Sequence, residues 1–335
     1  MNGRPRILLI SAGTRHTGDR LHPLEAAGFD LVQQYELDNT RDEALLAAAL
    51  DGAWATIAGS EAYTRTVLEQ ASSLKAIARF GVGYDGVDVP AATEQGVVVL
   101  TAPGGNSDSV ADFALTLMLA CLRRLRAVDE AVRSGEWRRT ELAGDLASAT
   151  VGIVGLGRIG RAVASRVAGF GCRILAVESA PNLEFCARVG VELGALEEIL
   201  PEVDVLTLHV PLTAETRHLI GARELALMRP TAIVVNTSRG GVVDEPALID
   251  AVAGGGIGGA GLDVFEVEPL PVDHPLTHLP NVVLSGHVST FTRLAVQRIT
   301  DEVVASLLQY HGGRLPTGCV NPEALQPVLG GGGMR

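Results

Sequence analysis

The parts of this sequence with chemistry in them are a turn that could cradle a pyrophosphate and three polar residues that could handle a proton and an anion. The turn is GLGRIG (Gly155–Gly160), at the end of the apolar run VGIVG and at the start of a segment with helical spacing, Arg158–Phe170, closed by Gly171. Between a strand and a helix, Gly155 permits the tight turn, Gly157 lets the backbone approach a pyrophosphate, and Gly160 lets the helix pack on the strand. The first N–H groups of the helix then face the anion. The next apolar run ends in Glu178, and no Arg follows at Ser179, Ala180 or Pro181. A carboxylate there accepts hydrogen bonds from adenine-ribose hydroxyls and repels a 2′-phosphate, which favours NAD(H) over NADP(H).

Hydride transfer at a carbon bearing oxygen needs an acid/base for that oxygen and, for an acidic substrate, a cation. Arg239 follows the run AIVVN in the loop TSRGG, Glu268 lies in a loop after GLDVF, and His287 ends the run NVVLS in the turn GHVST. Taken singly, such residues are ordinary surface charges or a structural histidine. Placed at successive strand ends of one sheet, where open α/β sheets bind ligands, they can converge. A carboxylate beside His287 favours the imidazolium and keeps a proton available for a forming alkoxide. The planar fork of Arg239 matches a carboxylate.

The elements that must position these groups form two alternating series. In the first, the runs Arg6–Ile10, Asp30–Tyr35, Trp54–Ala58 and Lys75–Phe80 read as strands, separated by helical segments at 18–27, 41–50 and 64–71. The second begins after Ala149, with strands at 151–155, 173–178, 204–210, 232–236, 259–264 and 281–284 and helices at about 196–200, 221–228 and 245–253. Such alternation means parallel sheets covered on both faces, hence two doubly wound α/β units. Between them, Pro103–Gly105 form a crossing into a helix over 108–133 that is apolar nearly all round from Phe113 to Leu122, so it must be buried between domains or, as the favoured reading, against a second subunit. Thr292–His311 reads as an amphipathic helix, and the glycines 330–333 as part of a disordered tail.

Composition narrows the class. The chain has 335 residues, 47% hydrophobic and 20% charged, enough for sizeable cores. A net charge of −12 argues against nucleic acid as a partner. The start MNGRPRILLI is too short an apolar run for a signal peptide, and no stretch approaches the ~18–20 residues that span a bilayer. Four cysteines without CxxC spacing read as reduced core residues, and the expectation is a cytoplasmic protein without a metal site. His274 and His278 have helical ligand spacing, but Pro275 between them works against one helix face presenting both.

Further motifs stand in order along the chain: GVGYDGVD (Gly81–Asp88), NSDSVAD (Asn106–Asp112), HVPLTAET (His209–Thr216), NTSRGGVVDE (Asn236–Glu245), GLDVFEVEP (Gly261–Pro269) and SGHVST (Ser285–Thr290). Together with VGIVGLGRIG, they make the chain resemble the D-isomer-specific 2-hydroxyacid dehydrogenases over nearly its whole length. That resemblance implies a discontinuous, flavodoxin-like substrate domain from residues 1–102 and 291–335. An inserted Rossmann NAD domain would occupy 103–290, including a long dimerisation helix 108–133. It implies NAD as cofactor, a small 2-keto or 2-hydroxy acid as substrate, and a homodimer; closure of the domains over substrate is expected from the Pro103–Gly105 crossing and its return near Val288–Phe291. By position, Arg239 would grip the substrate carboxylate and carbonyl, His287 act as acid/base, Glu268 serve as its partner, and the backbone at Val82 and Gly83 hold the carboxylate. Gly155, Gly157, Arg158, Ile159, Gly160, Glu178, Val210, Pro211, Thr237, Ser238 and Asp263 fall at cofactor-contacting positions.

The sequence departs from the family at several points. Asp112 replaces the more usual Glu after Val-Ala, and Gly59 and Ser60 stand where phosphoglycerate enzymes place an Arg for the phosphate, with Arg65 the nearest substitute. At this length, the C-terminal regulatory domain carried by some phosphoglycerate enzymes is not expected. The alternatives kept open are phosphoglycerate dehydrogenase proper, phosphite dehydrogenase, and a non-catalytic NAD(H)-sensing interaction protein of the same fold. Formate dehydrogenases of this kind use Gln where Glu268 stands.

Overall fold

A computed structural model describes residues 4–137 and 142–325; the glycines 330–333 lie outside them. The chain divides into two units, residues 1–106 with 290–335 and residues 107–289. Each is built on one parallel sheet.

In the first unit the strands β1 (Arg6–Leu9), β2 (Asp30–Gln33), β3 (Ala53–Ala58), β4 (Ala76–Arg79) and β5 (Val98–Leu100) are ordered β2-β1-β3-β4-β5. Alternation along β1 sends Ile7 and Leu9 to one face and Leu8 to the other, where they join separate cores. The first of those cores is closed by the helix Arg293–His311, through Ala295, Ile299, Val303 and Leu307. This is why the chain must return after residue 290: without that helix one face of the sheet would be bare. Asn321 stitches the return to the edge strand, accepting the Val99 N–H at 2.8 Å and donating to the Val97 carbonyl at 3.0 Å.

The second unit holds β6 (Thr150–Val154), β7 (Arg173–Val177), β8 (Val191–Leu193), β9 (Val205–Leu208), β10 (Ile233–Asn236), β11 (Gly259–Leu262) and β12 (Val282–Leu284), ordered β12-β11-β10-β9-β6-β7-β8. Every pairing is parallel. The strand order reverses between β6 and β9, so the turn after β6 opens at the switch point where such sheets bind ligands.

The structure corrects the long helix. Instead of one helix over 108–133 there are two, Ser107–Leu122 and Leu125–Arg133, broken where Arg124 takes a left-handed φ of 49°. One face of the apolar first piece is covered by its own unit: Ala111, Ala114, Leu117 and Met118 pack with Val151, Ile153, Ile233 and Val235 of the sheet, while Phe113, Leu115 and Leu119 are only partly buried. The charged Arg123–Arg124 step then lets the chain turn off the sheet. The second piece leaves Leu125, Val128 and Val132 exposed by 58%, 50% and 51%.

The short strands β5 and β8 and the helices Val89–Glu94 and Leu183–Val189 are additions to the sequence reading. The segment 18–27 is a 3-10 turn followed by a short helix, His22–Ala26.

Candidate active site

Because every strand of the second unit runs the same way, the loops after β6, β7, β9, β10, β11 and β12 all leave one edge of the sheet. Those loops carry Gly155–Gly160, Glu178, Val210–Pro211, Thr237–Arg239, Asp263–Glu268 and Ser285–His287.

The turn after β6 is built for close approach. A Cβ on Gly160 would lie 1.9 Å from the Gly155 carbonyl oxygen, so only glycine lets the helix Arg158–Val167 seat on the turn. A Cβ on Gly157 would meet nothing within 4 Å, which is open space beside a helix N-terminus. Arg158 and Ile159 open that helix. Glu178 lies alongside: its Oε2 accepts the Leu156 N–H at 2.7 Å and its Oε1 the Ala180 N–H at 3.0 Å. The Ala180 bond, and after it those from Leu156 and Ser179, outweigh partial desolvation and hold the carboxyl below its usual range. Val210 is half-buried on the core after β9, and Pro211 follows it at the surface.

After β10 the loop is stapled by buried Asn236. Its Nδ2 donates to the Arg239 carbonyl at 2.8 Å, and its Oδ1 accepts from the Ser238 N–H at 3.0 Å and hydroxyl at 2.8 Å. Thr237 Oγ1 is buried and makes no hydrogen bond among the described residues. A buried hydroxyl costs stability unless it is paired, so this atom points to a ligand group. A Cβ on Gly240 would lie 1.9 Å from the Phe265 carbonyl carbon, so glycine there brings the Arg239 loop against the loop of Glu268. The Arg239 guanidinium donates to the Ser238 carbonyl at 2.7 Å, and its charge acts on Glu268.

The structure brings the two residues expected to handle the proton together. His287 Nδ1 and Glu268 Oε2 are 2.7 Å apart, and Glu268 Oε1 accepts the Phe265 N–H at 3.0 Å. With Nδ1–H given to the carboxylate, Nε2 is the ring position left for a substrate. Burial alone would raise the Glu268 carboxyl. The hydrogen bond and charge of His287, then the Phe265 N–H and Arg239, more than reverse this and place it below the usual carboxylate range. Its contribution to stability is therefore complete above that range and is lost as pH falls through the depressed folded value. On acidification from about pH 5 to pH 3, wild type should lose more melting temperature than Glu268→Gln, which does not titrate there. Parallel melting curves over that range would contradict this.

Asp263, expected at a cofactor-contacting position, is fully buried. Its carboxylate accepts the Ser285 hydroxyl at 2.7 Å and the N–H groups of Val288 and Ser289 at 2.9 and 3.0 Å, and its carbonyl accepts the His287 N–H at 2.7 Å. These bonds hold His287 at a left-handed φ of 55°, a conformation the turn must impose on a side chain. The structure thus turns this carboxylate toward the turn that carries His287.

Sequence reasoning also missed the supports of the Glu268 loop. The Glu266 N–H donates to buried Glu245, and the Glu266 carboxylate lies 2.8 Å from His218 Nε2. His274 pairs with Glu245 at 3.6 Å, apart from His278. His209, at the end of β9, is removed as an acid/base: desolvation pushes its ring down to about 3.

In the first unit, the loop after β4 presents Val82 and Gly83 at the carboxyl edge of its sheet. The N–H groups of Val82, Gly83 and Tyr84 have no acceptor among the described residues. Successive amides without protein acceptors are donors that an anion could use.

A doubly wound unit with a Gly-rich turn at its switch point, and an orphaned hydroxyl and a braced imidazole on the same sheet edge, defines a nicotinamide-dependent dehydrogenase. Residues 115–289 match the family model of the D-isomer specific 2-hydroxyacid dehydrogenase NAD binding domain. The chain is 45% identical over 265 residues to a glyoxylate reductase of Korarchaeum cryptofilum, covering 78% of this chain and 80% of that one. It is 39% identical over 305 residues to a D-3-phosphoglycerate dehydrogenase of Mycobacterium tuberculosis, covering 90% of this chain but 58% of the longer relative. Among solved structures, an NADPH-dependent glyoxylate/hydroxypyruvate reductase from Sinorhizobium meliloti, in complex with NADP and malonate, superposes with a TM-score of 0.81 at 33% identity, covering 96% of this chain and 98% of that one. The chain belongs to the D-isomer-specific 2-hydroxyacid dehydrogenase family. It is an NAD(H)-dependent oxidoreductase interconverting a D-2-hydroxy acid and its 2-keto acid.

Proposed function

We propose that the protein reduces a small, unphosphorylated 2-keto acid of glyoxylate size. The observation that carries this reading is the 2.7 Å His287–Glu268 pair within the electrostatic reach of Arg239. Bound NADH supplies the hydride. Arg239 holds the substrate carboxylate and carbonyl and stabilises the oxygen as it becomes negative. His287, braced by Glu268, gives that oxygen a proton from Nε2. The Val82 and Gly83 amides take the carboxylate. Gly155, Gly157, Arg158, Ile159 and Gly160 form the pyrophosphate turn, Glu178 takes the ribose hydroxyls, and Val210, Pro211, Thr237 and Ser238 line the nicotinamide end.

The surroundings of Gly59 and Ser60 argue against a phosphorylated substrate. A Cβ on Gly59 would meet Asp38 Oδ1 at 2.0 Å and Glu61 Oε1 at 2.9 Å, two acids beside the position, and the cation at Ser60, Arg41, is engaged by the Ser60 carbonyl at 2.9 Å. Arg65, the possible substitute, is paired with Glu94 at 2.5 Å and is 46% exposed.

The assay that tests this reading follows NADH oxidation with glyoxylate, hydroxypyruvate, pyruvate and a phosphorylated 2-keto acid. Glyoxylate or hydroxypyruvate should lead, and the phosphorylated acid should trail by about 10²-fold in kcat/KM. A phosphorylated acid in the lead would overturn the reading. In the same assay Glu178→Ala should bring NADPH use up about 10-fold or more relative to NADH, since the repelling carboxylate is gone. An unchanged ratio would remove Glu178 from cofactor choice.

A homodimer is part of the proposal. Leu125, Val128 and Val132 lie on one face of an exposed helix, at spacings that bring side chains together. Light scattering should give twice the chain mass, and a monomer at micromolar concentration would refute it. Free cysteines and the lack, among described residues, of a helix long and apolar enough to cross a membrane support the cytoplasm as its compartment. Fractionation of the source cells tests that.

A further inference from the structure

Behind the amide loop of the first unit lies a buried acid–base pair that the reaction as described leaves unused. Strands β3 and β4 are hydrogen-bonded neighbours with Ala58 opposite Arg79, so the segment after β3 lies beside the end of β4. This brings Glu61 to Arg79. Glu61 is fully buried, the Arg79 side chain is 9% exposed, and Oε2 stands 3.9 Å from Nη1. Glu61 Oε1 accepts the Gly59 N–H at 3.0 Å, while its Oε2 makes no hydrogen bond among the described residues. A carboxylate in such a place is costly, and the nearby guanidinium offsets only part of the cost, so burial still pushes the Glu61 carboxyl up to about 7.

Arg79 reaches onward to the loop, where its Nε donates to the Gly83 carbonyl at 3.0 Å. The loop is held inward at other carbonyls too: Gly81 accepts from the Ala102 N–H at 2.8 Å and Tyr84 from the Val87 N–H at 2.9 Å. In a planar trans peptide the C=O and the following N–H point in opposite directions. Drawing the Gly83 carbonyl toward Arg79 therefore turns the Tyr84 N–H away from it, and the Gly81 carbonyl does the same for the Val82 N–H. Those are two of the unpaired amides.

We propose that Arg79, held from behind by Glu61, is a positioning residue that orients the Gly83–Tyr84 peptide, so that the Tyr84 N–H joins Val82 and Gly83 as a donor to the substrate carboxylate. This rests on the reading of the loop as the carboxylate cradle and adds to it a third donor and the device that aims it. Arg79 acts on substrate affinity and leaves the proton and hydride steps alone. A lysine cannot replace it, because one ammonium cannot serve both the Gly83 carbonyl and the Glu61 side with a fixed fork.

The test uses the full-length protein and Arg79→Gln, Arg79→Lys and Glu61→Gln. It measures KM and kcat for glyoxylate, the NADH dissociation constant, and hydrogen exchange of the peptide spanning 80–86 with and without oxalate in the presence of NADH. Arg79→Gln and Arg79→Lys should raise KM about 10-fold or more, with kcat within about 3-fold, NADH binding unchanged, and the oxalate-induced protection lost. Glu61→Gln keeps the Gly59 bond and should raise KM by a smaller factor, about 3-fold, in the same direction. Wild-type KM and protection in a folded Arg79→Gln would overturn the inference, as would a kcat loss matching the KM change. If that variant does not fold, an unchanged KM in Glu61→Gln overturns it. Absence of oxalate protection in the wild type would reject the carboxylate reading of the loop itself; protection in the wild type that persists in Arg79→Gln rejects only the role of Arg79.

Discussion

His287→Asn should lower kcat for keto-acid reduction by about 10²–10⁴, the usual worth of general acid–base help, while NADH affinity stays within about 2-fold. Asparagine is the informative replacement. The backbone at this position has a φ of 55°, which Asn tolerates better than most residues, so the turn held by Asp263 should survive. The loss then reports the missing proton donor and not a collapsed loop. Glu268→Gln should lose less, because the amide oxygen can still accept the Nδ1 hydrogen at the place where Oε2 now stands, 2.7 Å away, but no longer offers a charge to the imidazolium. Measured kcat values within a factor of about 10 of wild type for His287→Asn would contradict the assignment of the acid.

Arg239→Lys is the second large effect. The guanidinium is asked to hold a carboxylate with a planar fork and to stabilise a developing oxyanion, and lysine offers one compact charge without the fork. Removing one such donor set is worth about 10²–10³ in rate, so kcat/KM should fall by that factor, with KM and kcat both affected. The surrounding structure predicts that the loss is local: Asn236 grips the Arg239 carbonyl and the Ser238 N–H, neither of which depends on the side chain. The melting temperature should therefore move little. A variant with wild-type kcat/KM would remove Arg239 from the site, and one that unfolds would show that the guanidinium has a structural duty as well.

Much of this site was legible in the sequence because parallel sheets make position along a strand equivalent to position at the site. Once GLGRIG fixed which edge binds a dinucleotide, any polar residue just past a strand end was a candidate. Arg239, Glu268 and His287 met that condition, and the structure brings His287 to Glu268 in a hydrogen bond.

What was not legible depends on direction or on distant pairing. The family resemblance put Asp263 at a cofactor-contacting position; its hydrogen bonds into the Ser285–Ser289 turn are a further feature, and nothing in spacing tells which way a carboxylate at a strand end will face. Glu61 and Arg79 meet only because β3 and β4 are neighbours in the sheet, a fact of topology. The break at Arg124 hides because the helical pattern runs on through Arg123–Arg133, and a single left-handed residue leaves no mark on periodicity. The strands β5 and β8 are too short to carry an alternation at all.

The most direct test of the central claim is isotopic. NADH deuterated at C4 on the transferred face, incubated with hydroxypyruvate and the enzyme, should give a 2-hydroxy acid of D configuration carrying the label at C2, at a rate that His287→Asn lowers by about 10²–10⁴. Unlabelled product, or labelled product of L configuration, would contradict an enzyme in which Arg239 fixes the acid and His287 protonates its carbonyl oxygen.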